Sequence, residues 1–235
     1  MCGRYTITVT LEELMLRFLL GNAPVVGGYV PRYNVAPGQW IPAILGDTPA
    51  AASQQPMPRR LGELRWGLVP SWSQEESSGG KPMNLRLETA QQKPAFRRML
   101  ERKRCIVPAD GFFEWKTGGK QKQPVRFMLK DRSLFGMAAL YDTWGMADGT
   151  KLHTCAILTT EPNEVVAKVH TRMPVILRHE DESVWLNRSM TSAEELLPLC
   201  KPYAAKEMIS YEVDPVVGNV RNDGPECIAP LHALW

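Results

Sequence analysis

The sequence predicts an α+β fold: a curved, mostly antiparallel, barrel-like β-sheet flanked by short helices, in a single domain over residues 1–235. Three observations lead there. From Cys105 onward, short runs rich in branched and aromatic residues recur, with hairpin signals at Gly118-Gly119 and Asp148-Gly149. Two capping boxes, Thr10-x-x-Glu13 and Ser192-x-x-Glu195, open only short apolar-periodic stretches. No internal repeat appears, and no linker is long enough to separate two cores. At 235 residues, 44% hydrophobic and 23% charged, the composition excludes collagen, coiled coil and wholesale disorder.

The elements follow in order. Behind Thr10, the residues Leu11, Leu14, Met15, Phe18 and Leu19 keep helical spacing, and Gly21 is the expected stop. Ile41–Leu45 reads as a strand, placed at a sheet edge because Pro42 cannot donate to a ladder. Residues 47–60 read as a surface loop, Leu64–Val69 as a strand, and 73–81 as a second loop. Asn84-Leu85-Arg86-Leu87-Glu88-Thr89 alternates polar and apolar, so an extended segment would set Asn84, Arg86 and Glu88 on one face. Pro94 opens a short basic helix over Ala95–Leu100. Strands are then expected at Cys105–Val107, Gly111–Trp115, Val125–Leu129, Leu134–Tyr141 and Leu152–Leu158. Asn163–Val169 reads as helix, Val175–Leu177 as extended, Glu180–Leu186 as helix and Met208–Val213 as a closing strand.

Net charge is +3, and its distribution says more than its size. Lys81 to Arg132 holds 14 Lys and Arg against 5 Asp and Glu, a local +9 that leaves −6 for the remainder. Such a block suits an anionic partner such as a nucleic acid backbone, and equally a solvated basic face. No apolar run approaches the ~18 residues of a membrane span, so no membrane partner is expected. The N-terminus lacks the apolar core of a secretion signal. Five scattered cysteines without a CxxC pair argue against a disulfide framework or a structural zinc, and fit a reducing cytosol.

Five places carry candidate chemistry. Removal of Met1 would leave Cys2 with an α-amine near ~8 and a thiol near ~8.5 on adjacent carbons. A 1,2-aminothiol captures aldehydes: the amine forms a Schiff base and the thiol closes a thiazolidine. Cys2 would serve equally as an N-terminal nucleophile for amide hydrolysis, and Met-Cys also arises by chance. Asn84 and Arg86 on one strand face suit a phosphate and a neighbouring sugar oxygen, or plain solvent. Glu114, between Phe113 and Trp115, becomes a general acid if that run is buried and a surface carboxylate if it is not. His170 lies between a helical and an extended stretch, with Arg172 two residues on to meet a phosphate. Arg65-Trp66-Gly67-Leu68-Val69-Pro70-Ser71-Trp72 suits a stacking wedge; alternatively Trp66 is core and only Trp72 is exposed. No His/Cys/Asp cluster has metal-ligand spacing, and no cofactor is expected.

Seven blocks taken together resemble the SOS response-associated peptidase (SRAP) family, also called abasic-site processing proteins. They are Met-Cys-Gly-Arg-Tyr at 1–5, Arg-Tyr-Asn-Val-Ala-Pro-Gly at 32–38, Trp-Gly-Leu-Val-Pro-Ser-Trp at 66–72 and Asn-Leu-Arg-Leu-Glu-Thr at 84–89. The others are Cys-Ile-Val-Pro-Ala-Asp-Gly-Phe-Phe-Glu-Trp at 105–115, His-Thr-Arg-Met-Pro-Val-Ile-Leu at 170–177 and Val-Gly-Asn-Val-Arg-Asn-Asp at 217–223. The resemblance implies a DNA–protein crosslinking enzyme acting on abasic sites in single-stranded DNA, with AP-lyase and autopeptidase branches. Cys2 matches the crosslinking residue, Asn84 and His170 those that hold the abasic sugar, and Glu114 the acid that senses it. Arg4, Arg86 and Trp115 lie beside them, in reach of DNA. Ser73 stands where members often carry a second aromatic, which implies weaker stacking at a DNA junction. A monomer is expected, cytoplasmic and, in a bacterium, nucleoid-associated. The competing readings are an N-terminal-nucleophile cysteine amidase and a non-enzymatic single-stranded DNA-binding module.

Overall fold

The computed structural model describes residues 2–20, 28–46, 59–76, 81–118 and 122–232. The chain opens with β1 (Arg4–Ile7) and α1 (Leu11–Arg17). The Thr10 hydroxyl accepts from Glu13 N, and the Glu13 carboxylate accepts from Thr10 N, so the capping box is complete. The helix ends earlier than its pattern suggested: Phe18 caps it, and Leu19 turns to φ +52° and stands exposed rather than in the core. Gly21, the expected stop, lies outside the described residues, as do 47–58 and 77–80 of the two expected loops.

Next come β2 (Arg32–Val35), β3 (Trp40–Gly46) and β4 (Arg59–Trp66). The strand expected at Leu64–Val69 thus begins at Arg59, inside the supposed loop, and stops before Gly67, whose φ of +132° breaks the extension. β3 is not an edge strand. It pairs with β4 along its whole length and with β6 (Arg104–Ala109) only at Ile44 and Leu45, so the β6 side is open at Pro42. Between them lie β5 (Asn84–Arg86), α2 (Leu87–Gln92) and α3 (Pro94–Arg102), with Pro94 in the first turn of α3. The expected single extended face over 84–89 is corrected: after three residues the chain turns helical, which moves Glu88 off the strand.

The β-rich half follows expectation with longer strands: β7 (Gly111–Lys116), β8 (Gln123–Leu129), β9 (Phe135–Gly145) and β10 (Lys151–Thr160). Gly149, at φ +84°, turns the β9–β10 hairpin. The helix expected over 163–169 is only a 3-10 turn at Val166–Lys168, with the Asn163 carboxamide oxygen accepting from the Val165 and Val166 N–H groups ahead of it. Val175 divides its extended stretch into β11 (Met173–Pro174) and β12 (Ile176–Leu177). Then come α4 (Glu182–Leu186), α5 (Ala193–Leu196) and β13 (Met208–Glu212).

The α+β class and the mostly antiparallel pairing are borne out, with the strands divided between two sheets. One runs β13-β8-β7-β1-β2, antiparallel throughout. The other runs β11-β10-β4-β3-β6-β9-β12. Because β9 also pairs with β10 from Lys151 to Ile157, strands β10, β4, β3, β6 and β9 form a closed ring, the barrel-like element. A continuous apolar core containing Tyr5, Ile44, Trp66, Ile106, Leu140 and Ile157 joins both sheets. The five cysteines are buried and free. No helix among the described residues is long and apolar enough to cross a membrane.

Candidate functional site

Pairing along two strands assembles the site. β1 runs antiparallel to β7 with Arg4 opposite Phe113 and Tyr5 opposite Phe112, which carries the chain ahead of Arg4 toward Glu114 and Trp115. β10 supplies the second platform. Its Thr159 pairs with Arg86 of β5 on one side and with Pro174 of β11 on the other, bringing the Asn84 strand beside the His170–Arg172 segment. Four expected residues come together here. Asn84 Nδ2 donates to the Cys2 carbonyl at 2.8 Å, and His170 Nδ1 lies 3.8 Å from Glu114 Oε1. The Glu114 charge is also felt at the Cys2 thiol.

Burial sets the protonation of this group. Glu114 is 3% exposed, which decides between its two readings: it is an interior acid. Desolvation raises its carboxyl from 4.5 to about 7, against the opposing pull of the chain's terminal amine. The Cys2 thiol is completely buried, and desolvation followed by the Glu114 charge lifts it far above the ordinary thiol range. It is therefore a neutral thiol at physiological pH. Burial lowers the His170 pKa, so that ring stays neutral. Its Nδ1 meets the Arg172 N–H at 3.0 Å. Asn84 Oδ1, on the amide whose Nδ2 donates to Cys2 O, is buried and has no hydrogen-bond partner among the described residues. An acid poised near neutrality, a neutral imidazole and a neutral thiol suit proton transfers around a carbonyl compound.

The expected DNA contacts divide. Arg86 is exposed at the end of β5. Arg4 is a strut: its guanidinium donates to Asn34 Oδ1, Val217 O and Gly218 O, and lies 5.8 Å over the Trp115 ring. Arg172 is not open to a phosphate. It forms a two-pronged pair with Glu88 at 2.8 and 2.9 Å and donates to Thr159 O at 2.6 Å. Trp66 is core and Trp72 is 52% exposed, meeting Phe96 edge-on at 6.1 Å. Sequence reasoning missed Glu88 as the partner of Arg172, because the alternation of 84–89 concealed the turn into α2. It also missed buried Asn34, which donates to the carbonyls of Val217, Asn219 and Asn222. Asp223 completes that seam, accepting from Arg32 Nε and from the backbone N–H groups of Tyr33 and Asn34. The signal available was the co-occurrence of the 32–38 and 217–223 blocks.

These features define an α+β protein with a candidate site gathered around the cysteine that leads into its first strand. The chain belongs to the SOS response associated peptidase (SRAP) family, whose model matches residues 1–220. It is similar to the abasic site processing protein YoaM of Bacillus subtilis, 44% identical over 229 residues that cover 97% of each chain. Abasic site processing protein HMCES of Gallus gallus is 33% identical over 230 residues, 87% of this chain and 68% of that protein. A crystal structure of a Bacteroides thetaiotaomicron protein matches with a TM-score of 0.84 at 28% identity, covering 99% of this chain and all of the other.

Proposed function

We propose that this protein acts in the DNA damage response by capturing abasic sites in single-stranded DNA as a covalent thiazolidine on Cys2, once Met1 has been removed. Residues 1–235 act as one domain, and the protein is a cytoplasmic monomer. The single observation that carries the reading is the convergence of Asn84, Glu114 and His170 on Cys2, with Glu114 buffered near 7. The names of the relatives support abasic DNA as the substrate.

The steps follow from the groups present. Protonated Glu114 donates to the ring oxygen of the closed abasic sugar as its bond to C1′ breaks, and the C1′ hydroxyl gives up its proton to leave the aldehyde. The free amine of Cys2 attacks C1′, and loss of water gives the imine. The thiol sulfur then bonds to C1′ while its proton passes to the imine nitrogen, closing the five-membered ring. A neutral thiol suffices for that last step. Asn84 orients the Cys2 backbone, and His170 relays protons at the sugar. Should the imine persist, removal of a C2′ proton cleaves the 3′ phosphate bond, the lyase branch. The decisive experiment incubates the full chain with an oligonucleotide bearing one abasic site and runs a denaturing gel beside intact-mass analysis. A heat-stable adduct on a chain lacking Met1, absent in Cys2→Ala, is expected. An equal adduct from Cys2→Ala overturns the mechanism.

A further inference from the structure

Exposed aromatic rings on turns are ordinarily loose. At Trp72, however, the backbone on both sides is held at alternate residues by the β9–β10 hairpin. Val69 N donates to Thr154 Oγ1 at 2.9 Å, and Ser71 N donates to Asp142 Oδ2 at 2.9 Å. Ser73 O accepts from the Trp144 indole at 2.8 Å, and Ser73 N closes the turn on Pro70 O at 2.9 Å. Asp142 sits at the junction of these restraints. It is fully buried, faces Thr154 across the β9–β10 pair, and its other oxygen binds the Lys103 ammonium and Thr143 N. Lys103 caps the C-terminal end of α3, the helix that carries Phe96 against the Trp72 ring. One carboxylate therefore joins the backbone beside the exposed ring to the end of the basic helix that carries Phe96.

We infer that Asp142 is a positioning residue for DNA, holding Trp72 as a preorganised stacking surface for a nucleobase flanking the abasic nucleotide. The inference rests on the proposed function and deepens it. With its backbone anchored beforehand, Trp72 loses little freedom when a base arrives, so more of the stacking energy appears as affinity. Asp142→Asn keeps the volume but replaces one oxygen by an NH2 donor, so either Ser71 N or Lys103 and Thr143 N then face a donor instead of an acceptor. Trp144→Phe removes the Ser73 bond alone, an independent route to the same loosening.

The test measures single-turnover crosslinking to an abasic oligonucleotide, separating half-saturation from maximal rate. Anisotropy of the same oligonucleotide without an abasic site is measured in parallel. Asp142→Asn is expected to raise half-saturation and the intact-strand Kd by about tenfold, within the range for base–aromatic stacking. Trp144→Phe should raise both by about threefold, as for one neutral hydrogen bond. Maximal rates stay at wild type, and Asp142→Asn added to Trp72→Ala produces no further loss. A fall in maximal rate at unchanged half-saturation overturns the inference, as does full additivity with Trp72→Ala. If wild type forms no adduct, the proposed function falls, while the anisotropy arm still decides the role of Asp142.

Discussion

At Glu114, folding raises a carboxyl from 4.5 to about 7, and the shift has two measurable consequences. The native state holds this proton more tightly than the unfolded chain. The resulting stability is fully present below about pH 4.5 and is lost as pH rises through about 7. Glu114→Gln removes that dependence. Its unfolding free energy should match wild type at about pH 4 and exceed it at about pH 8 by as much as roughly 3 kcal/mol. The same variant should slow crosslinking by ~10²–10⁴-fold, the usual worth of a general acid, with DNA affinity retained. The proposed mechanism calls for protonated Glu114 and an unprotonated Cys2 amine near ~8, so the wild-type rate should peak between those values. In Glu114→Gln the alkaline fall disappears, and only the rise with amine deprotonation remains. A pH–rate profile of both proteins checks the assignment. Cys2→Ser should give only a heat-labile imine, because the alcohol is a far weaker partner for ring closure than the thiol. The buried setting of Glu114 was one of two readings of Phe113-Glu114-Trp115, and its place on β7 makes it interior. The commitment of Arg172 to Glu88 was not legible, since the two lie 84 residues apart.

Where β5 hands over to α2, two arginines near the site separate in role. Arg86 is exposed at the strand end, and Arg172 is tied to Glu88 and Thr159. Arg86→Ala should therefore weaken binding to abasic and intact strands alike and lower the salt slope by about 0.7, one phosphate on a single strand. Arg172→Ala should leave that slope unchanged and slow crosslinking, because the segment holding His170 loses its brace. Titrations at several salt concentrations distinguish them. Between β3 and α4 the chain passes close: a Cβ on Gly46 would lie 2.1 Å from the Leu186 carbonyl oxygen. Gly46→Ala should destabilise by more than ~2 kcal/mol in denaturant unfolding, since a backbone atom cannot swing aside. Elements with local causes were readable in sequence, as at Thr10, Pro94 and Gly149. The 84–89 stretch was not, because six residues of alternation fit a three-residue strand entering a helix as well as one strand. Pro42 misled for the opposite reason, as an interior strand can be locally open on one side.

Across the whole molecule, the +9 concentrated between Lys81 and Arg132 should make DNA affinity fall steeply with salt, through counterion release. Affinity constant from low to high salt would exclude a backbone-tracking surface. The sequence conveyed the barrel-like class of this architecture through hairpins and caps, yet neither which strands close the ring nor the seam that joins residues 4 and 32–34 to 217–223. Those depend on pairings remote in sequence, such as Arg104 opposite Leu140 and Arg4 against Val217, on which local periodicity is silent. That seam has a consequence for biosynthesis. Arg4, two residues from Cys2, is braced by carbonyls at 217 and 218, so its support is synthesised 213 residues after it. At about 5–20 residues per second, tens of seconds separate the two events. Throughout that interval Cys2 lacks this brace, and on the proposed mechanism a chain stopped short of residue 217 should capture abasic sites more slowly than the finished protein.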